Sequence, residues 1–238
     1  MKYSWAVESH VGLVRNGNED SHAPSNDDAS RDPVVVAVAD GMGGHVAGEV
    51  ASRLAIQAAT DPKMNGADAE DRVRTANDAV VSAITDDPSL TGMGTTLTLG
   101  IFGDDGALSI GHVGDSRAYH LRKGELRRLT ADHTLVADLV NGGYITEAEA
   151  RTHPRRHIVT QSIGMPHIKI DRIDTVLEPG DRVLLCTDGL TAMIDDDDVR
   201  RLLVKAVSPS EAAWALIDAA NAAGGHDNTT VAVVDVSS

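Results

Sequence analysis

The amino-acid sequence predicts an α+β fold, and three observations predict it. Two stretches with helical apolar spacing come early, a block of strand-patterned segments follows, and helices mix with returning strands at the end. That grouping is unlike the strict alternation of a parallel α/β sheet. Val34-Val35-Val36-Ala37-Val38-Ala39 is compact and β-branched, as suits a strand buried on both faces. Short acidic motifs stand where strands end, so a sandwich of sheets would present them along one rim.

In chain order, residues 3–12 alternate weakly and are expected as the first strand. Residues 21–33, rich in Asp, Ser and Pro, are expected as a surface loop. The run 34–39 is a central strand ending at Asp40, after which Gly41, Gly43 and Gly44 permit a tight turn. Residues 46–59 and 67–84 have helical spacing with Gly and Pro punctuation. Strands are expected at 95–102 and 108–113, flanking the hairpin signal Gly103-Asp104-Asp105-Gly106, and again at 117–121. Residues 130–157 break this pattern with two short helical stretches among polar loops. They carry His133, His153, Arg155, Arg156 and His157, and are expected to form a flap beside the site. Strands are expected at 158–161, 168–176 and 182–187, helices at 198–204 and 211–223, and a last strand at 228–236. No internal repeat or linker divides the chain, which is expected as a single domain over residues 1–238.

A chain of 238 residues can bury a substantial core, here of Val, Ala, Leu and Ile because aromatics make up only 3%. Its 36 acids against 21 bases give a net charge of −15, which argues against a nucleic-acid partner and against an anionic membrane surface. The lone Cys186 allows no intrachain disulfide and suits a reducing cytoplasm. The first residues lack a secretory pattern, and no apolar run approaches the roughly 20 residues that span a bilayer. The chain is expected to act as a monomer.

The chemistry lies in the acids. Asp40 stands before Gly41-Met42-Gly43-Gly44, Asp188 follows Arg182-Val183-Leu184-Leu185-Cys186-Thr187, and Asp227-Asn228 opens the last strand. One Asp-Gly pair alone is an ordinary turn, but three such acids at strand ends can converge on a cation site. Oxygen-only ligands select hard cations such as Mg²⁺ or Mn²⁺. Two cations about 3.5–4 Å apart can share a water and present hydroxide to phosphorus. One arginine, Arg15, stands beside Glu19 and Asp20 and suggests an anionic substrate. Cys186 does not support a thiolate phosphatase, because that chemistry needs an arginine six residues later and residue 192 is Ala. Asp195-Asp196-Asp197-Asp198 stands where a helix begins and is expected to cap it.

The ordered set Arg15-Asn16-Gly17-Asn18-Glu19-Asp20, Asp40-Gly41-Met42-Gly43-Gly44, Gly92-Met93-Gly94-Thr95-Thr96, Gly114-Asp115-Ser116-Arg117, Thr187-Asp188-Gly189-Leu190 and Asp227-Asn228-Thr229-Thr230 resembles the bacterial branch of the PPM family, the type 2C metal-dependent serine/threonine protein phosphatases. The match runs from about Arg15 to Val236. The resemblance implies a four-layer sandwich, two antiparallel β-sheets flanked by α-helices on both faces, with Mn²⁺ or Mg²⁺ at one rim. It implies that Asp40 bridges two catalytic cations, that the Gly41 carbonyl binds the second, and that Asp188 and Asp227 hold the first. Asp115, with Asp188, matches the holder of a third ion in bacterial members. Glu19 and Asp20, with Asn228, resemble outer residues that orient water and ligands. Arg15 resembles the phosphate-binding arginine, whose planar fork suits two phosphate oxygens.

So read, the chain hydrolyses phosphoserine and phosphothreonine on proteins by direct attack of a hydroxide shared by two metals, opposing bacterial serine/threonine kinases. Eukaryotic members place a histidine after Asp-Gly as general acid; Met42 stands there in this chain. Metal-bound water, or the flap residues His153 and His157, could supply that proton, and His45 could line the cleft. Two other readings stay open: a regulatory module without turnover, and a hydrolase of small phosphate esters. Two carboxylates about 5 Å apart repel by about 3 kcal/mol at an effective dielectric of about 20. Gathering several therefore calls for cations.

Overall fold

The structure, a computed structural model, describes every residue except Gly44; the side chains of His45 and Val46 also lie outside the described residues, and with them the expected cleft position of His45. Alternation along the strands sets the layers. In β4 (Val34–Met42) Val36 and Val38 face one side with Phe102 and Ile110, while Ala37 and Ala39 face the other with Ala51, Ala55 and Val73. In β11 (Arg182–Cys186) Val183 and Leu185 join the first group, and Leu184 and Cys186 pack with Leu216 and Ile217. A period of two thus divides the apolar residues among three interfaces: helix on sheet, sheet on sheet, and sheet on helix.

One sheet has the order β3 (Asp28–Ser30), β1 (Lys2–His10), β12 (Thr229–Ser237), β11, β8 (Arg117–Arg122), β9 (Glu125–Arg128). The other has the order β10 (Asp171–Val176), β7 (Ala107–Val113), β6 (Leu97–Phe102), β4, β2 (Asp20–Ala23), with β5 (Gly94–Thr95) also on β4. All the pairings are antiparallel. Helices α1 (His45–Ala59) and α2 (Ala69–Asp86) cover the second sheet. Helices α5 (Asp188–Thr191), α6 (Asp196–Lys205) and α7 (Pro209–Ala222) cover the first. Helices α3 (Leu135–Asn141) and α4 (Glu147–Thr152) lie between β9 and β10 in sequence. The expected four-layer α+β sandwich is therefore observed.

Four expectations are corrected. Residues 21–33 are not a plain loop: β2 zips onto β4 and β3 onto the edge of β1, so tertiary partners supply pairing that an Asp- and Ser-rich segment does not advertise. The central strand does not end at Asp40 but runs to Met42, because Gly41 and Met42 pair with Thr95 and Gly94. Residues 158–161 form no strand and make only the isolated bridge of Val159 with Thr134. The strand expected from 168 begins at Asp171, and β9 and α5 were not anticipated. The acidic run 195–198 does cap α6, with the Asp195 carboxylate accepting from the Asp198 amide at 2.9 Å.

Candidate active site

The acids reach one rim because the strands that carry them are neighbours. Asp20 and Asp40 are directly opposed in the β2–β4 ladder. Asp188 opens α5 just after β11, and Asp227 precedes β12, the strand paired with β11. Asp115 sits in the turn between β7 and β8. Close packing of glycine backbones draws these segments together. A Cβ on Gly41 would overlap the Gly48 carbonyl of α1, and one on Gly189 would overlap the Asn228 carbonyl. Glycine at these two places is what lets the Asp40 and Asp188 segments lie against their neighbours.

The Asp40 and Asp188 carboxyl groups stand close enough to interact directly. Burial, then repulsion from Asp20, Asp188 and Asp115, raises the Asp40 carboxyl well above its ordinary value. Burial, then Asp227, raises Asp188, while Asp40, His157 and Arg117 counter part of that rise. Burial pushes Asp115 up to about 8, with Asp188 and Asp132 adding to it. Asp20 rises to about 7, chiefly through burial.

Asp20 is the most enclosed of these acids. Its Oδ2 accepts from the hydroxyls of Thr187 at 2.9 Å and Thr230 at 2.7 Å, while buried Oδ1 has no hydrogen-bond partner. Asn228 binds the neighbouring segments together. Its Oδ1 accepts from the Glu19 amide at 2.8 Å, and its Nδ2 donates to the carbonyls of Val11 and Gly17, each at 2.9 Å. The Glu19 carboxylate lies over Gly48, where a Cβ would overlap it. Arg15 Nη2 donates to Asp227 Oδ2 at 2.7 Å. Sequence reasoning assigned no role to Thr187 or Thr230, although each stands within a quoted motif; only the fold puts both hydroxyls on one carboxylate.

Among the described residues no group of three or more His, Cys, Asp or Glu side chains stands ready-made to hold a metal ion. Asp227 is engaged by Arg15, and Asp40 and Asp188 by each other. The donor set nonetheless fits hard divalent cations: oxygen only, crowded with like charge, and including an unpaired buried carboxylate oxygen.

A cleft of about 680 Å³ opens at Asp115 and Asp188 and runs between residues 131–157 and the α5–α6 segment, with Arg117, Val136, His157 and Met193 among its walls. His157 therefore stands beside the acids. His153 does not line the cleft; its Nδ1 accepts from the Arg155 amide at 3.1 Å. His133 is buried and bonded to Asp171 and the Gly114 amide. Cys186 is buried, and burial pushes its thiol up to about 12, which leaves it no nucleophilic part.

Residues 14–215 match the family model for protein phosphatase 2C, and the chain belongs to that family. It is 40% identical over 239 residues to the serine/threonine protein phosphatase PstP of Mycobacterium tuberculosis, covering 98% of this chain and 45% of that protein. The chain thus spans about half the length of that relative. It is 35% identical to the serine/threonine phosphatase stp of Listeria welshimeri, covering 94% of this chain and 92% of that protein. The crystal structure of the PstP catalytic domain in complex with two manganese ions superposes with a TM-score of 0.86, at 37% identity, over 100% of this chain and 99% of that one.

Proposed function

We propose that the chain is a metal-dependent protein serine/threonine phosphatase, and that residues 1–238 form one catalytic domain with a flap over about 130–157. The observation that carries this reading is the convergence of Asp20, Asp40, Asp115, Asp188 and Asp227 on one rim, with Arg15 as the adjacent cation. The two manganese ions in the PstP structure support it. Asp40 would bridge two cations, Mn²⁺ or Mg²⁺, with the Gly41 carbonyl on the second and Asp188 and Asp227 on the first. Asp115 and Asp188 would hold a third. Cations held there would supply Lewis-acid chemistry, lowering the pKa of water for attack on phosphorus and offsetting the phosphoryl charge.

The chain's own groups do the rest. Arg15 would exchange Asp227 for two phosphate oxygens of the substrate, orienting the ester for attack. Asp20, fixed by Thr187 and Thr230, would use its free oxygen to orient water at the rim, as would Glu19. Asn228 would keep the Glu19 and Asp227 segments in register. His157, which lines the cleft, would be the flap histidine to deliver a proton to the departing serine or threonine oxygen. Substrates would be proteins phosphorylated on serine or threonine, the products of kinases in the same reducing cytoplasm.

Phosphate release from a phosphothreonine peptide, with and without Mn²⁺, tests this in the wild type and in Asp227→Asn. Release that needs Mn²⁺ and falls by at least about tenfold in the variant is expected. A folded protein that releases nothing under any divalent cation would leave only the regulatory-module reading, and equal or faster release from nucleotides would turn the assignment to small phosphate esters.

A further inference from the structure

We propose that Thr96 and Ser116 are positioning residues whose buried hydroxyl pair ties the Asp40 segment to the Asp115 loop, so that the sites of the shared cation pair and of the third cation are held in one register. The inference rests on the cation roles proposed above for those two acids. Neither residue has an assigned part in the site: Thr96 closes the motif Gly92 to Thr96, and Ser116 follows Asp115 in the motif Gly114 to Arg117.

Thr96 stands opposite Asp40 in a register that runs unchanged from Val38 and Thr98 to Gly41 and Thr95. The backbone ladder is altered at this one step. The Thr96 amide donates to the Asp40 carbonyl at 2.9 Å, as in a regular antiparallel pair. The Asp40 amide does not return the bond to the Thr96 carbonyl; it donates to Thr96 Oγ1, at 2.9 Å. The Thr95 hydroxyl lies 2.8 Å from the Asp40 carbonyl and 2.9 Å from the Thr96 carbonyl, and shares its one proton between them. The amide and the carbonyl of Asp40 thus both meet side-chain hydroxyls, which fix the backbone from which its carboxylate projects.

On its other side Thr96 touches the segment that carries Asp115. Its Oγ1 lies 2.7 Å from Ser116 Oγ, and both residues are fully buried. Gly114 has a φ of +113°, and a Cβ there would run into Thr96 Cβ and Cγ2, so the loop rests directly on the threonine. The opposite face of the loop is held by His133, whose amide donates to the Gly114 carbonyl at 2.8 Å and whose Nδ1 accepts from the Gly114 amide at 3.2 Å. Gly114, the residue before Asp115, is therefore held between Thr96 and His133.

Packing alone does not explain these residue types. Valine would fill the Thr96 volume but leave the Asp40 amide without its acceptor, and alanine would fill most of Ser116, whose hydroxyl the backbone ladder does not use. What the hydroxyls add is registration, and cation ligands must be placed to within a few tenths of an ångström.

Calorimetric Mn²⁺ titration and phosphopeptide kinetics on Thr96→Val, Thr96→Ser and Ser116→Ala test the proposal. Ser116→Ala is expected to keep wild-type affinity for the first two cations and to weaken the third by about tenfold. Thr96→Val is expected to weaken both classes and lower kcat with little change in KM, and Thr96→Ser to restore the wild-type pattern. Should Thr96→Val fail to fold, Ser116→Ala decides alone. Wild-type isotherms and kcat in folded Thr96→Val and Ser116→Ala would overturn the proposal. A wild-type protein that takes up no Mn²⁺ would remove the cation reading itself, and this inference with it.

Discussion

Arg15 and Asp227 meet at 2.7 Å, yet their side chains are 45% and 38% exposed. An exposed pair of this kind contributes roughly 0–1 kcal/mol, so Arg15 gives up Asp227 at little cost and is available to a phosphate. Charged hydrogen bonds to a bound phosphate are stronger, about 1.5–3 kcal/mol. Arg15→Ala should therefore lower kcat/KM for a phosphothreonine peptide by roughly 10- to 100-fold, mostly through KM, and Arg15→Lys should recover only part of it because it lacks the planar fork. Steady-state kinetics at saturating Mn²⁺ would check both; unchanged KM in Arg15→Ala would assign the residue to Asp227 alone. At this scale the candidates Asp40, Asp188 and Asp227 could be singled out because each is an acid beside a hydrophobic strand, which is a local pattern. Thr187 and Thr230 were not, because a hydroxyl acquires its part only when a distant strand brings Asp20 beside it.

Helix α6 shows how an element separates two readings of the same residues. Four consecutive aspartates resemble a cation cluster, but Asp195 accepts from the Asp198 amide and the other three occupy the first turn, where the helix dipole favours negative charge. Asp195→Ala should cost about 1 kcal/mol of stability while leaving Mn²⁺ stoichiometry as in the wild type. Chemical denaturation beside a Mn²⁺ titration would show it, and a lost cation would return the run to the metal site. The helices 46–59, 67–84 and 211–223 and the strands around residues 97–121 were legible within a few residues, since their apolar periods match their partners. Strands β2 and β3 were hidden by turn-like composition, and 158–161 misled because a β-branched run found no neighbouring edge to complete a ladder.

For the molecule as a whole, the clustered acids set a pH dependence with a definite sign. Asp20 moves from 3.8 to about 7 and Asp115 from 3.8 to about 8, and Asp40 and Asp188 also rise. In EDTA the folded chain then holds protons that the unfolded chain has released, so stability falls as pH rises from about 4 through about 8. Saturating Mn²⁺ should raise Tm at neutral pH and flatten this slope, because the cations offset the charge that the protons otherwise remove. Melting curves from pH 5 to 9 in EDTA and in Mn²⁺ would check both; superimposable curves would count against cation binding at these acids. Among the described residues no helix is long and apolar enough to cross a membrane.

The sequence by itself determined the grouping of helices and strands, the division of apolar residues between the faces of each strand, and the positions of the acids at strand ends. These depend on local period and spacing, which a chain carries before it folds. Only the tertiary structure decided that Asp20 lies across from Asp40, that Thr187 and Thr230 share one carboxylate oxygen, that Arg15 reaches Asp227, and that Thr96 joins Asp40 to the Asp115 loop. Those contacts join residues 20 to more than 200 positions apart. Pairing over such distances is set by how whole sheets and helices pack, which no local period records.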